Sequence, residues 1–596
     1  MRLAQVADVF ANLEAVSSRR RMVELVADLL RQAGSDEQAP IAYLLQGQLR
    51  PAYEGVEIGV GERLLIATLA LAYEATEALV SRRMKALGDL GLVAAELAPA
   101  RGGKPLSLLQ AYRTLLEVAH TAGPGSVRGK TARLAALLRK AGPLEGKLLV
   151  RAAQGRLRLG VGEQTILEAT ALAALGDRRR KPLLESAYNV RSDLGGVVRL
   201  AFTRGEQGLK GITPEIGIPV RPELAQRLAS SEAIVARLGR VQVEPKYDGF
   251  RLQLHRDGAR VWVFSRRLEN VTQMFPELAD AASRQLKVKR AIIEGEAVVH
   301  NPESGEFLPF QVTMTRKRKK RIAEAVERYP MRLFAFDLLY AGRQSWLDRP
   351  QRLRSRRLAR LIRSGPDDPI AVTDTLETDR ASELQDYFEE MVHRGLEGIV
   401  AKRPDAPYRA GARGYDWVKL KRAYQSRLRD TVDLVLVGYL RGRGKRAALG
   451  IGSLLAAVYD PKHDRFRTVA KIGSGLSERA WKDLRGRLDQ NLARKKPAQV
   501  DSLITPDVWV EPRCVVEVLA DEITRSPSHT CGRTGDEPGY ALRFPRMVGI
   551  REDKAPPDAT SEREVLEMYR RQRAAPSARS RSKAQPAAMS PGLSRG

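Results

Sequence analysis

Cysteine is almost missing from this chain: two, Cys514 and Cys531, occur in 596 residues. Two thiols cannot build a multi-disulfide framework or a four-cysteine zinc site, so each is expected as a lone thiol in a reducing cytoplasm. Histidine is scarce as well, with six in all and none in a metal-ligand spacing such as HExxH. Any metal is then expected on oxygen ligands and phosphates, as Mg²⁺ usually is. No run of 18 or more apolar residues occurs, which argues against a spanning helix and a membrane partner. The opening stretch MRLAQVADVFANLEAV carries Asp8 and Glu14 and lacks the continuous apolar centre of a secretory leader. Acidic residues are also in deficit, 71 against 101 Lys and Arg, leaving a formal net charge of +30. That excess calls for a polyanionic partner, nucleic acid first and acidic membrane second, and composition alone does not separate them.

Hydrophobic residues make up 43% of the chain, enough for globular cores, and the length implies roughly three to five domains. Residues 1–205 read as helical: apolar positions recur every three or four residues in VADVFANLEAV, MVELVADLLRQ, LLQAYRTLLEVAH and TARLAALLRKAG. The loop Gly155–Gly162 sets Arg156 and Arg158 among glycines before EQTILEATALAAL, where helix-start amides could grip a phosphate as readily as form a plain turn. Gly/Pro interruptions in 206–220 suggest a linker. From about 241 the period becomes two, with Asp257-Gly258 as a hairpin turn, and mixed strands and helices continue to about 425. The strands TVDLVLVGYL, GSLLAAVYD, FRTVAKIGSG and CVVEVLADEI in 426–555 suggest a small β-barrel. Residues 556–596 read as a helix remnant followed by a basic tail of Ala, Pro, Ser and Arg that cannot bury a core. No repeat of fixed period is evident. The stretch 123–131 mimics a P-loop, but Pro124 stands where the first glycine is required.

Lys246-Tyr247-Asp248-Gly249 places a lysine between strands beside a tight turn, a possible nucleophile and, alone, a weak four-letter pattern. The ordered set around it is far more specific. EPKYDGFR contains Glu244, Lys246 and Arg251; FSRRLENVTQMFPEL contains Ser265 and Arg266; AIIEGEAVV contains Glu296; LFAFDLLY contains Phe336. EGIVAK contains Glu397 and Lys402, Arg413 precedes WVKLK with Lys419 and Lys421, and LRFPRMVGIREDK ends on Arg551, Asp553 and Lys554. In order and spacing this set resembles the ATP-dependent DNA ligases, within the covalent nucleotidyltransferases that include RNA ligases and capping enzymes. The helical N-terminal third, with GRLRLGVGEQTIL and YLLQGQLRPAYEGVEIGVGERL, is similar to the DNA-binding domain of archaeal and eukaryotic ligases. Glu223 stands where relatives often carry methionine.

The resemblance implies a multidomain α+β chain: an all-α DNA-binding domain (1–205), a linker (206–220), an adenylation domain of antiparallel sheets with helices (221–425) and an OB-fold barrel (426–555). It implies ATP as adenylate donor, since NAD-dependent ligases carry a four-cysteine zinc module. Lys246 would become Lys-AMP, AMP would pass to the 5′-phosphate of a nick in double-stranded DNA, and the 3′-hydroxyl would then displace it. Glu397, with Glu296, would hold Mg²⁺; Glu296 would also bind ribose, Phe336 would stack on adenine and Glu244 would lie at its edge. Arg251, Arg266 and Arg413 would contact ribose, AMP or the nick phosphate. Arg551, Asp553 and Lys554 would orient the leaving pyrophosphate. A free lysine amine is almost wholly protonated at neutral pH, with a pKa near ~10.4. Lys402, Lys419, Lys421 and Mg²⁺ are therefore expected to depress that of Lys246. The basic run 316–321 and the segment GRGKRAALGIGS are read as phosphate contacts. The implied setting is replication, recombination and repair by a monomer encircling DNA, cytoplasmic and nucleoid-associated. An RNA ligase or capping-type enzyme, or a non-catalytic DNA-binding scaffold, are the alternatives; the helical third argues against the first and the intact motifs against the second.

Overall fold

The computed structural model describes residues 1–99, 105–299, 313, 316, 321–363, 365, 368–394, 396–421, 431–442, 450–520 and 522–573. The chain divides into two compact units, Met1–Tyr424 and Gln425–Gly596.

The first unit opens with helices from Leu3–Ala15 to Leu194–Lys210. Helix Arg19–Gln32 shows why they form: Val23, Val26, Ala27, Leu29 and Leu30 fall on one buried stripe, the arginines lie outside it, and the Ser18 side chain accepts from the Arg21 N–H as an N-cap. The helices share one apolar cluster, in which each fully buried leucine contributes roughly 1.5–3 kcal/mol. The P-loop look-alike is no nucleotide loop; Ser126–Leu138 is a helix. The helix Leu194–Lys210 runs across the expected boundary at 205, kinked at Gly205.

Two sheets follow. One holds five strands in the order β1 (Gln226–Arg227), β11 (Trp417–Lys421), β10 (Gly398–Lys402), β2 (Val241–Lys246) and β9 (Leu376–Thr378). The other runs β4 (Arg260–Ser265), β3 (Phe250–Asp257), β5 (Arg290–Val299), β6 (Met331–Ala341) and β7 (Gln344–Ser345), with β8 (Ile370–Val372) parallel to β6. The β3–β4 hairpin turns at Asp257-Gly258 as its sequence implies, with Gly258 at φ +61°. Alternation sorts β3: Leu252 and Leu254 enter the core beneath helices Pro276–Gln285 and Gln351–Leu361, whereas Gln253 and His255 bond the connector between the helical region and the sheets. Gln253 takes the Val220 N–H at 2.8 Å and donates to its carbonyl at 3.0 Å, and His255 Nδ1 accepts from Gly217 N–H at 3.0 Å. The segment read as a linker is thus hydrogen-bonded into the sheet.

The second unit is built on an eight-stranded sheet. Its long strands β12 (Val432–Arg441), β13 (Ile451–Asp460) and β14 (Arg465–Ile472) are antiparallel neighbours, the strand Val515–Leu519 pairs with both β12 and the strand Arg546–Ile550, and helix Glu478–Asp489 buries Trp481, Leu484 and Leu488. Cys514 and Cys531 are free thiols.

One ion pair in the first unit is wholly buried. Arg354 donates to both oxygens of Asp337, at 2.7 and 3.0 Å, and to the carbonyls of Arg349 and Ala406. Both side chains are 0% exposed, so the pair ties helix Gln351–Leu361 to β6. Asp337→Ala strands an unpaired guanidinium in the core and is expected to cost about 3–5 kcal/mol in urea unfolding; a loss under 1 kcal/mol would contradict this account.

Candidate active site

A cavity of about 390 Å³ lies between the two sheets. Lys246 ends β2 opposite Gly398 of β10, and its carbonyl accepts from Glu397 N–H at 3.1 Å. Two glycines make room. A Cβ at Gly249 would lie 2.2 Å from the Ala297 carbonyl oxygen, and one at Gly398, whose φ is +143°, 2.1 Å from that of Leu420.

The Lys246 amine is 2.5 Å from Glu397 Oε2, which also meets Lys421 Nζ at 2.8 Å. Burial acts to lower the Lys246 pKa, but Glu397 and then Glu296 outweigh it, and the net shift is upward. The expectation that neighbouring cations depress this amine therefore fails in the free protein: the closest charge is a carboxylate. Burial would raise Glu397, and Lys246 and Lys421 reverse this, so it is held below the usual range. Lys419 is the lysine driven down, to about 8, by burial and then by Lys421, Lys246 and Arg413.

Lys402 is paired with a different carboxylate. Its amine is 2.8 Å from Glu244 Oε2 and 3.0 Å from the Phe336 carbonyl, and it lies 4.2 Å from the centre of the Trp417 ring. Glu244 is lifted to about 7 by burial, against the pull of Lys402. Glu296 is lifted to about 7 as well, by burial against Lys246 and Arg251. Phe336 lines the cavity with Trp417 edge-on at 6.0 Å. Arg251 faces Glu296 across the β3–β5 register. Its guanidinium is anchored by Glu294 at 2.7 Å and the Glu223 carbonyl at 2.6 Å, while its Nε has no hydrogen-bond partner among the described residues. Arg266 and Arg413 are exposed on the cavity rim, and Arg266 also lines an adjoining cavity of about 330 Å³ shared with Tyr43, Gln46 and Gln48 of the helical region.

The structure thus gathers Glu244, Lys246, Arg251, Arg266, Glu296, Phe336, Lys402, Arg413 and Lys419 around one cavity, with Glu397 and Lys421 joined to it through Lys246. Arg551, Asp553 and Lys554 belong to the second unit, where Arg551 meets Asp553 at 2.7 Å and Asp433 at 3.3 Å, and Lys554 meets Asp433 at 2.7 Å. Arg316 corrects the reading of the basic run: it is buried, ion-paired with Glu277, its guanidinium 5.7 Å from the Phe275 ring centre. Residues 317–320 lie outside the described residues, as does most of GRGKRAALGIGS. Of the two loop arginines, Arg158 turns inward to Asp89 at 2.8 Å and Arg156 stays exposed.

Sequence reasoning missed two features. Trp417 looks like core, yet it walls the cavity and carries the Lys402 amine on its face. An irregular repeat was also overlooked: QGQLR at 46–50 and IGVGE at 58–62 return as QGRLR at 154–158 and LGVGE at 159–163. Their glycines adopt matching torsions, φ +72° and +66° at Gly47 and Gly155, +63° and +72° at Gly59 and Gly160. The two loops touch, since a Cβ at Gly47 would lie 2.7 Å from the Gly155 oxygen. A seven-residue insertion in the first copy, residues 51–57, hides the match from any search for a fixed period.

Family models for the DNA ligase N terminus, the ATP-dependent DNA ligase domain and the ATP-dependent DNA ligase C-terminal region match residues 2–171, 222–421 and 447–554. The chain belongs to the ATP-dependent DNA ligases. The ligase is 47% identical to a probable DNA ligase of Dictyoglomus turgidum over 574 residues, 96% of this chain and 98% of that one. It is 40% identical to a DNA ligase of Sulfolobus acidocaldarius, again over 96% of this chain and 98% of that one. The solved structure of Pmar-Lig_PreS3, 16% identical, shares the fold with a TM-score of 0.54 over 92% of this chain and 99% of that one.

The Lys246–Glu397 pair yields a prediction. An amine reagent attacks only neutral amine, so Lys246 of the free ligase should label slowly at neutral pH and faster as pH rises through its elevated pKa. Glu397→Gln removes the nearest negative charge and should speed labelling at pH 8 by roughly tenfold for each unit the pKa falls. Mass spectrometry of the Lys246 peptide gives the extent of labelling; an unchanged rate in the variant would show that Glu397 does not hold the proton on.

Proposed function

We propose that this ligase seals 3′-hydroxyl/5′-phosphate nicks in duplex DNA through lysyl-AMP at Lys246 and a DNA-adenylate, serving replication, recombination and repair. The observation that carries the reading is the Lys246 amine, set at the wall of an aromatic, cation-lined cavity by two strands and a glycine turn. The cavity suits a nucleotide: Phe336 and Trp417 offer apolar faces, Glu244 and Lys402 offer a buried acceptor and donor, and Lys419, Arg266 and Arg413 offer charge to phosphates. In the first step Lys246 Nζ bonds to the α-phosphorus of ATP as the bond to pyrophosphate breaks. The amine must first surrender a proton, and Glu397 is the acceptor in contact with it. ATP binding therefore has to part that pair, with Lys419 and Lys421 balancing the triphosphate charge.

Mg²⁺ fits Glu397 and Glu296, two carboxylates that both act on the Lys246 amine. Two carboxylates leave most positions around such an ion to phosphate oxygens and water, as is usual for Mg²⁺. Bound there, the ion would supply charge stabilisation to the triphosphate.

The twin glycine loops, opening helices Glu62–Ala72 and Glu163–Ala174, suit the phosphates of the duplex through backbone N–H groups and Arg156. The second unit, read as an OB-fold, carries Phe544, 65% exposed at φ +50° between Arg543 and Arg546, an apolar side chain suited to a nucleic-acid surface. Arg551, Asp553 and Lys554 take the pyrophosphate role. The enzyme would act as a nucleoid-associated monomer encircling its substrate in the cytoplasm.

Incubation with ATP labelled at the α-phosphate tests the reading. The parent protein should carry label through a denaturing gel and seal nicked duplex; Lys246→Ala should lose both to background. Label on the Lys246→Ala protein would place the adenylate elsewhere and end the proposal.

A further inference from the structure

Arg221 lies in the connector between the helical region and the sheets, and three parts of the first unit meet on it. Its Nη1 donates to Glu163 Oε2 at 2.7 Å, and its guanidinium carbon is 4.7 Å from the Tyr188 ring centre. Tyr188 closes the triangle by donating its hydroxyl to Glu163 Oε1 at 2.9 Å. Glu163 is the first residue of the helix that follows the Gly155–Gly162 loop, so the triangle grips one of the twin loops at its base. The Arg221 backbone reaches the other way: its N–H donates to the Asn189 carbonyl at 2.8 Å and its carbonyl accepts from Gly411 N–H at 2.9 Å. Gly411, at φ +69°, is wedged on Asn189, and a Cβ there would lie 2.4 Å from Asn189 Oδ1. Two residues later comes Arg413, on the rim of the nucleotide cavity. Beside it, Leu224 N–H donates to the Ala412 carbonyl at 2.9 Å.

We infer that Arg221 is a positioning residue that locks the DNA-facing loop of the helical region to the Arg413 loop of the nucleotide site, so that a nick is read in register with the adenylate. The inference rests on the ligase reading. The lock touches neither ATP nor the Lys246 amine, so formation of lysyl-AMP without DNA does not need it. Steps that use the nick do. The pair is partly exposed, 27% for Arg221 and 37% for Glu163, which makes it a modest fastening that salt weakens. The tyrosine face adds orientation, because a guanidinium both stacks and hydrogen-bonds in a single pose.

The experiment compares the full-length parent with Arg221→Ala, Glu163→Gln and the double variant. Each is assayed for lysyl-AMP formation with ATP alone and for nick sealing over a range of DNA concentrations. Each single variant should keep lysyl-AMP formation within about twofold of the parent and raise the KM for nicked DNA about fivefold. The double variant should be no worse than either single one, because both remove the same contact. Thermal midpoints near that of the parent establish folding. Equal slowing of both assays, additive losses in the double variant, or an unchanged KM would overturn the inference. A parent protein that forms no lysyl-AMP would instead defeat the ligase reading and leave the two failures distinct.

Discussion

In the proposed reaction the Lys246 amine attacks a phosphorus atom and has to be neutral at that moment, yet in the free enzyme it sits against Glu397 at 2.5 Å, which favours its protonated form. Much of the local architecture follows from holding that amine safely. Glu397 immediately precedes β10, the antiparallel neighbour of the strand that ends on Lys246, and the Glu397 N–H is bonded to the Lys246 carbonyl, so backbone pairing fixes the carboxylate beside the amine. The glycines at 249 and 398 let neighbouring chain pass at distances no side chain permits. Glu397 is shared with Lys421, so parting it from Lys246 does not strand an unpaired carboxylate in a half-buried wall.

Charge in the cavity is distributed with similar care. Glu244 and Lys402 neutralise each other at the deep end, beneath aromatic rings, where an isolated charge would be costly. Arg266, Arg413 and Lys419 also line the cavity, and in the proposed reaction they would be the groups left to meet an incoming triphosphate or a DNA end. Lys419, already pushed down to about 8 by burial and its cationic neighbours, gains most from a bound polyanion. Nucleotide binding is thereby favoured by the same repulsion that destabilises the empty site.

Much of this was legible in the sequence, for reasons that differ by residue. Lys246, Glu244 and Arg251 share one short motif, and Glu296, Phe336 and Lys419 fall on strands whose two-residue period shows which side chains face together. The two-residue period also explains the β3–β4 hairpin, and the three- to four-residue spacing explains the helical stripe of residues 19–32. What stayed hidden depended on distant contacts. Nothing local in EGIVAK reveals that Glu397, just before β10, turns to Lys246 while Lys402, at the far end of that strand, turns to Glu244. Arg316 reads as surface charge within its basic run and is withdrawn from the surface by Glu277, 39 positions away. Trp417 reads as core because apolar burial and a ring lining a cavity leave the same mark on a sequence. The connector reads as a loose tether because its Gly and Pro residues conceal that Gln253 and His255 are waiting for its backbone.

That connector bears on how the enzyme can be dissected. The inner face of β3 carries Arg251, Gln253 and His255, a polar row that an ordinary interior strand would not tolerate. Residues 217–223 lie across it and return amides and carbonyls, and Glu294 takes further bonds from Arg251 and Gln253. A catalytic fragment begun upstream of residue 216 would retain this cover, whereas one begun at 225 would open a dry, thirsty seam behind the nucleotide and let water into the wall that holds Arg251. The boundary of the working catalytic half is therefore set by hydrogen-bond supply, several residues earlier than the point where the first strand of the sheet begins.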